Sequence, residues 1–178
     1  MLPCSKLTFA GYKKEKINGL NEGPTYSEPI QGIFDYIGNY ASGEEQGLFT
    51  HYYGNGNKLA SANFLMGERE GLDTNFYHTG SIYTIDNNIL NNNYGQYVRY
   101  YYNGNVWMTR KFINDSRDSI ETIYGINGEI ILQKHFKLGF FNFIVRNNEA
   151  GELTDTVKAI NETLSYEAKY KNGQVAIK

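Results

Sequence analysis

The chain is short of most residues that carry chemistry or span a membrane. A single cysteine, Cys4, among 178 residues excludes an internal disulfide and a thiolate metal cluster. Lys and Arg (17) nearly balance Asp and Glu (19), so the strong positive footprint that nucleic acid requires is missing, and only a local basic patch could form. No run of 18 apolar residues occurs, which leaves no candidate membrane-spanning helix. The first residues lack the apolar core of a signal peptide, and a cytoplasmic protein is expected. The alternative takes Met1-Leu2-Pro3-Cys4 as what remains of a lipoprotein cleavage site. Cys4 would then carry the lipid and the protein would belong to the cell envelope.

Against these shortages stand 16 Tyr, 10 Phe, 19 Gly and 21 Asn, with only 3 Pro. Aromatic side chains suit a pleated surface, and Gly with Asn supplies the positive-φ positions of turns, so an all-β chain is expected. A shift of 24 residues brings whole columns into line. Gly56, Gly80, Gly104 and Gly128 form one, and Tyr52, Phe76, Tyr100 and Tyr124 stand four residues before them. Phe64, Phe112 and Phe136 form a third, interrupted by Asn88. Gly47, Gly71 and Gly95 open the units, and Ser119 stands at the fourth opening.

Each unit reads as a β-hairpin. Asn55-Gly56, Thr79-Gly80, Asn103-Gly104 and Asn127-Gly128 are turn dipeptides, and the residues before them alternate. Leu48, Thr50 and Tyr52 point to one face, Phe49, His51 and Tyr53 to the other. Polar links such as Gly67-Glu68-Arg69-Glu70 and Asn91-Asn92-Asn93 lead to the next hairpin. One hairpin cannot cover its own apolar face, so the units must stack. The expected architecture is a single twisted antiparallel sheet, a meander of 24-residue hairpins forming one domain over 1–178. The regular repeats span 47–139, with degenerate capping units over 23–46 and 140–178. Gly32, Tyr40 and Gly43 continue the period upstream, Gly151 and Gly173 downstream. Residues 153–165 fit strand plus turn, with a short helix as the alternative.

The units resemble the MORN-variant repeats of the bacterial YwqK-type antitoxin family. The match rests on Gly95, Tyr100-Tyr101, Asn103-Gly104, Val106 and Phe112 in the best unit, and it covers about residues 47–139. The resemblance implies the hairpin fold and a protein partner, a toxin neutralised by contact. MORN repeats also imply a second role, as structural or membrane-surface scaffolds. Asn88 and Ser119 depart from the pattern. Choline- and glucan-binding hairpin repeats are a poor fit, because they need repeated Trp and only Trp107 is present.

No catalytic constellation emerges. His51, His78 and His135 fall in unrelated columns without Cys or regular carboxylates, and no nucleophile elbow or phosphate-cradling loop occurs. Asp73 and Glu121 share a column two repeats apart, with nothing to mark them as buried or paired. The expected function is therefore non-catalytic protein binding, with no cofactor, metal or nucleic acid. The candidate contact residues are the second aromatic column, Tyr53, Tyr77 and Tyr101, beside His51 and Arg99. If that face is exposed, replacing Tyr77 and Tyr101 by Ala should weaken partner binding with little effect on stability. Arg110, Lys111, Lys134 and Lys137 form a modest basic patch.

Overall fold

A computed structural model of the chain describes residues 15–27, 35–147, 153–158, 168–169 and 175–177. Cys4, Gly32, Gly151, Gly173 and the remainder of 153–165 beyond Lys158 lie outside the described residues. The described part is all β. Its strands are β1 (Glu15–Ile17), β2 (Leu20–Tyr26), β3 (Tyr36–Ala41), β4 (Glu44–Glu45), β5 (Gly47–Tyr52), β6 (Lys58–Leu65), β7 (Glu68–Arg69), β8 (Gly71–Phe76) and β9 (Ile82–Ile89). There follow β10 (Asn92–Asn93), β11 (Gly95–Tyr100), β12 (Val106–Ile113), β13 (Ser116–Tyr124), β14 (Ile130–Lys137), β15 (Phe140–Asn147) and β16 (Leu153–Lys158). The pair β17 (Ala168–Lys169) and β18 (Val175–Ile177) forms a separate two-stranded sheet. Leu153–Lys158, where a helix was the alternative, is strand.

Strands β1 to β16 form one open antiparallel sheet in chain order, with β4, β7 and β10 as short extensions beside β3, β6 and β9. The expected hairpin meander is present, but its tight turns sit at the other end of each unit. The two-residue turns are Ser42-Gly43, Met66-Gly67, Leu90-Asn91, Asn114-Asp115 and Leu138-Gly139, spaced by 24, with φ positive at both positions throughout. This is the type I′ geometry, whose twist matches that of the strands. The Asn-Gly segments make wider loops. Tyr53 N–H donates to Asn57 O at 2.8 Å and Gly56 N–H to Tyr53 O at 2.8 Å, so only Gly56 needs a positive φ. The same pair of bonds recurs at Tyr77, Tyr101 and Gly125.

The opening glycines have their own explanation. Gly47, Gly71 and Gly95 have φ of 77, 89 and 86° and lie at a bulge against the preceding strand, as where Glu45 faces Tyr40 but Thr50 faces Ile37. Ser119 takes φ 64° in the same place, so the geometry persists without glycine.

The two faces differ. Phe49, Asp73, Thr84, Asn88, Met108, Glu121 and Ile144 are buried on one face, called A. On the opposite face, B, the buried residues are Thr50 and Thr122, in a row of cross-strand pairs that includes Thr50↔Ser61 and Thr109↔Thr122. The ring contacts of Phe49 with Tyr40 (5.6 Å) and Phe64 (5.4 Å) consolidate face A at the first unit. Burial of a ring such as Phe49 contributes about 1.5–3 kcal/mol. Gly38 lies directly beneath it, and a Cβ there would overlap the Phe49 ring.

Candidate protein-binding surface

The second aromatic column lies at the wide-loop end of face A and holds neighbouring units together. Tyr53 Oη donates to Phe76 O at 2.7 Å, Tyr77 Oη to Tyr100 O at 2.8 Å and Tyr101 Oη to Tyr124 O at 2.8 Å. Every acceptor is a backbone carbonyl of the following unit, so each hydroxyl bonds one repeat to the next. All three rings are half-buried. Asn57 and Asn105 add parallel side-chain bonds to His78 O and Ile126 O. The tyrosines therefore have a structural task, and their loss should lower stability.

Three of the five candidate contact residues meet in one cluster. Arg99 donates to Tyr83 Oη, and its guanidinium lies 4.7 Å from the Tyr83 ring and 4.1 Å from the Trp107 ring. Tyr77 packs on Tyr83 at 4.9 Å and on Tyr102 at 4.9 Å, while Tyr101 approaches Trp107 at 6.2 Å. His51 is exposed and lies apart, against Tyr36 at 5.9 Å. Tyr83 and Trp107 were not expected at the cluster. They fall 24 apart, opposite the irregular ladder step after Asn75 and Arg99, and that spacing was the available signal.

Charge also enters face A. Following the register, one row runs Phe49, Ala62, Asp73, Asp86, Tyr97, Arg110, Glu121, Lys134 and Ile144. Asp73, 4% exposed, sits directly opposite Asp86, and Arg69 reaches it at 3.1 Å. Burial pushes the Asp73 carboxyl up from its usual 3.8 to about 6, and the nearby Asp86 adds to this against the pull of Arg69. Burial raises Asp86 as well. Buried Glu121 is held by Lys134 at 3.2 Å, Arg110 at 3.7 Å and Arg117 at 4.0 Å. Asp73 and Glu121 are thus both buried and paired, which the sequence alone did not reveal. The basic patch divides: Arg110 and Lys134 surround Glu121, while Lys111 and Lys137 are exposed.

Face B carries the largest exposed apolar side chains of the strands. Leu48 (54%) and Leu72 (58%) stand at equivalent positions of successive units, exposed Gln96 takes that position in the third and Ile120 in the fourth. Leu65 and Ile89 lie toward the same tight-turn edge on the return strands. Among the described residues, the strands in substantial contact are hydrogen-bonded neighbours within a sheet, so face B is left open.

No protein-family model matches the chain, and no curated protein sequence matches it.

Proposed function

We propose that the protein is a non-catalytic binding module that captures a partner protein on the apolar half of face B. The observation carrying this reading is the repeated exposure of Leu48, Leu72 and Ile120 on a single-layer sheet. Across the register these side chains alternate with Asn63, Asn87, Gln96 and Lys111, and spaced apolar contacts in a polar frame suit a protein partner. On face A the tyrosine hydroxyls bond backbone and Glu121 is surrounded by cations, while Asp73 Oδ1, Asp86 Oδ1 and Asn88 Nδ2 are buried without a hydrogen-bond partner. The resemblance of the units to MORN-variant antitoxins supports a toxin as the partner, neutralised by steric cover.

Affinity purification of the tagged full-length protein from its native host, read by mass spectrometry, tests this reading. One stoichiometric protein partner is expected. The double variant Leu48→Lys/Leu72→Lys should fail to retain it while melting within about a degree of wild type, because both side chains are exposed. Recovery in the membrane fraction without a protein partner would overturn the binding reading in favour of a membrane-surface scaffold.

A further inference from the structure

Granting the protein-binding reading, we propose that the tight-turn edge is the recognition edge, fitted to a partner segment that is both apolar and basic. The turns place large apolar side chains where the backbone least favours them. Met66, Leu90 and Leu138 hold φ of 51, 48 and 51°, a left-handed conformation that only Gly and Asn adopt readily. All three side chains project into solvent, at 73, 57 and 65% exposure. Packing therefore does not explain their presence. Asn18 and Asn114 occupy the equivalent positions of other turns, so the fold accepts the better-suited residue. Apolar residues held in a strained turn without a packing role suit a binding surface. Leu65 and Ile89 continue the strip from the turns onto face B.

Charge identifies the occupant. The turn segments 15–22, 41–47, 65–71, 89–95, 113–119 and 137–140 hold eight carboxylates against four cations. The wide-loop segments 52–58, 76–82, 100–106 and 124–130 hold one of each. Part of this acidity is built into the turns. Glu22 accepts the Ser42 N–H at 2.7 Å and Glu70 accepts the Leu90 N–H at 3.0 Å, while Gln46 accepts the Met66 N–H at 3.1 Å. An anionic lipid surface would be repelled by these carboxylates beside the apolar tips. A segment alternating apolar and Lys or Arg side chains complements both features.

The test uses the full-length protein and the triple variant Met66→Asn/Leu90→Asn/Leu138→Asn. The probes are a synthetic valine–lysine alternating peptide and its valine–glutamate counterpart. Wild type is expected to bind the lysine peptide and not the glutamate peptide. The triple variant should lose roughly tenfold or more in affinity. Its melting temperature should be unchanged or higher, because Asn relieves the left-handed turns, so loss of fold cannot imitate loss of the surface. Equal binding by variant and wild type would overturn the edge as the recognition site. Retention of the natural partner through Leu48 and Leu72 would still leave the broader reading in place. Equal binding of both peptides would overturn the charge argument. Variant-sensitive sedimentation with phosphatidylcholine vesicles, or a concentration-dependent mass increase that the variant abolishes, would assign the edge to lipid or to a second copy and overturn the proposal.

Discussion

Tyr77 illustrates how a single hydroxyl can decide between a structural and a binding role. Its Oη donates to the Tyr100 carbonyl in the next unit, and its ring is wedged between Tyr83 and Tyr102. Tyr77→Phe should cost about 1 kcal/mol by leaving that carbonyl without its donor, and Tyr77→Ala about 2–4 kcal/mol through lost packing. Chemical denaturation of the two variants measures both. Asp73 is the other informative residue. Its carboxyl titrates near 6 in the folded protein, above its usual 3.8, so the folded state binds the proton more tightly than the unfolded chain. The resulting stabilisation is fully present below about pH 4 and is lost as pH rises through 6. Wild type should accordingly gain about 1–2 kcal/mol between pH 7 and pH 5 relative to Asp73→Asn, which lacks the titrating group. Parallel stability–pH curves for the two proteins would contradict this assignment.

At the level of the hairpin, turn identity controls stability through backbone conformation. Ser119 holds φ 64° at the position where earlier units have Gly47, Gly71 and Gly95. Ser119→Gly should stabilise by about 0.5–1 kcal/mol, and Gly71→Ala should destabilise by about 1–2 kcal/mol, both readable from thermal melts. The hairpin itself was legible in the sequence, because the Gly and aromatic columns repeat at 24 and the strands alternate. Its turn chemistry was only half legible. Asn55-Gly56 signals a two-residue turn by composition, yet Tyr53 and Asn57 close a three-residue loop over 54–56. The true two-residue turns at Met66-Gly67 and Leu90-Asn91 resembled polar links. Leu and Met are poor turn formers, and the acceptors that tie their N–H groups, Glu70 and Gln46, lie 20 residues earlier.

For the whole molecule, the sheet's two faces were predictable as alternating sets, but which face would be better covered was not. Phe49, Asp73, Tyr97 and Glu121 share one column, and their mixed chemistry gives no hydrophobic signal. Only the cross-strand register brings Asp73 against Asp86 and Glu121 against Lys134. The candidate contact residues Tyr53, Tyr77, Tyr101 and Arg99 lie within the better-packed face, whereas Leu48 and Leu72 are exposed on the other. Assembly by neighbour contacts also makes stability local, since each unit is tied to the next by its own tyrosine and turn bonds. On the proposed reading a partner protein covers the exposed Leu48 and Leu72 of face B and the adjoining turns. Hydroxyl-radical footprinting of the full-length protein, with and without its captured partner, addresses it side chain by side chain. Oxidation of Leu48, Met66, Leu72 and Leu90 should fall on binding, while that of His78 and Tyr102 at the wide loops should be unchanged. Protection of His78 and Tyr102 with Leu48 and Leu72 still reactive would contradict the reading.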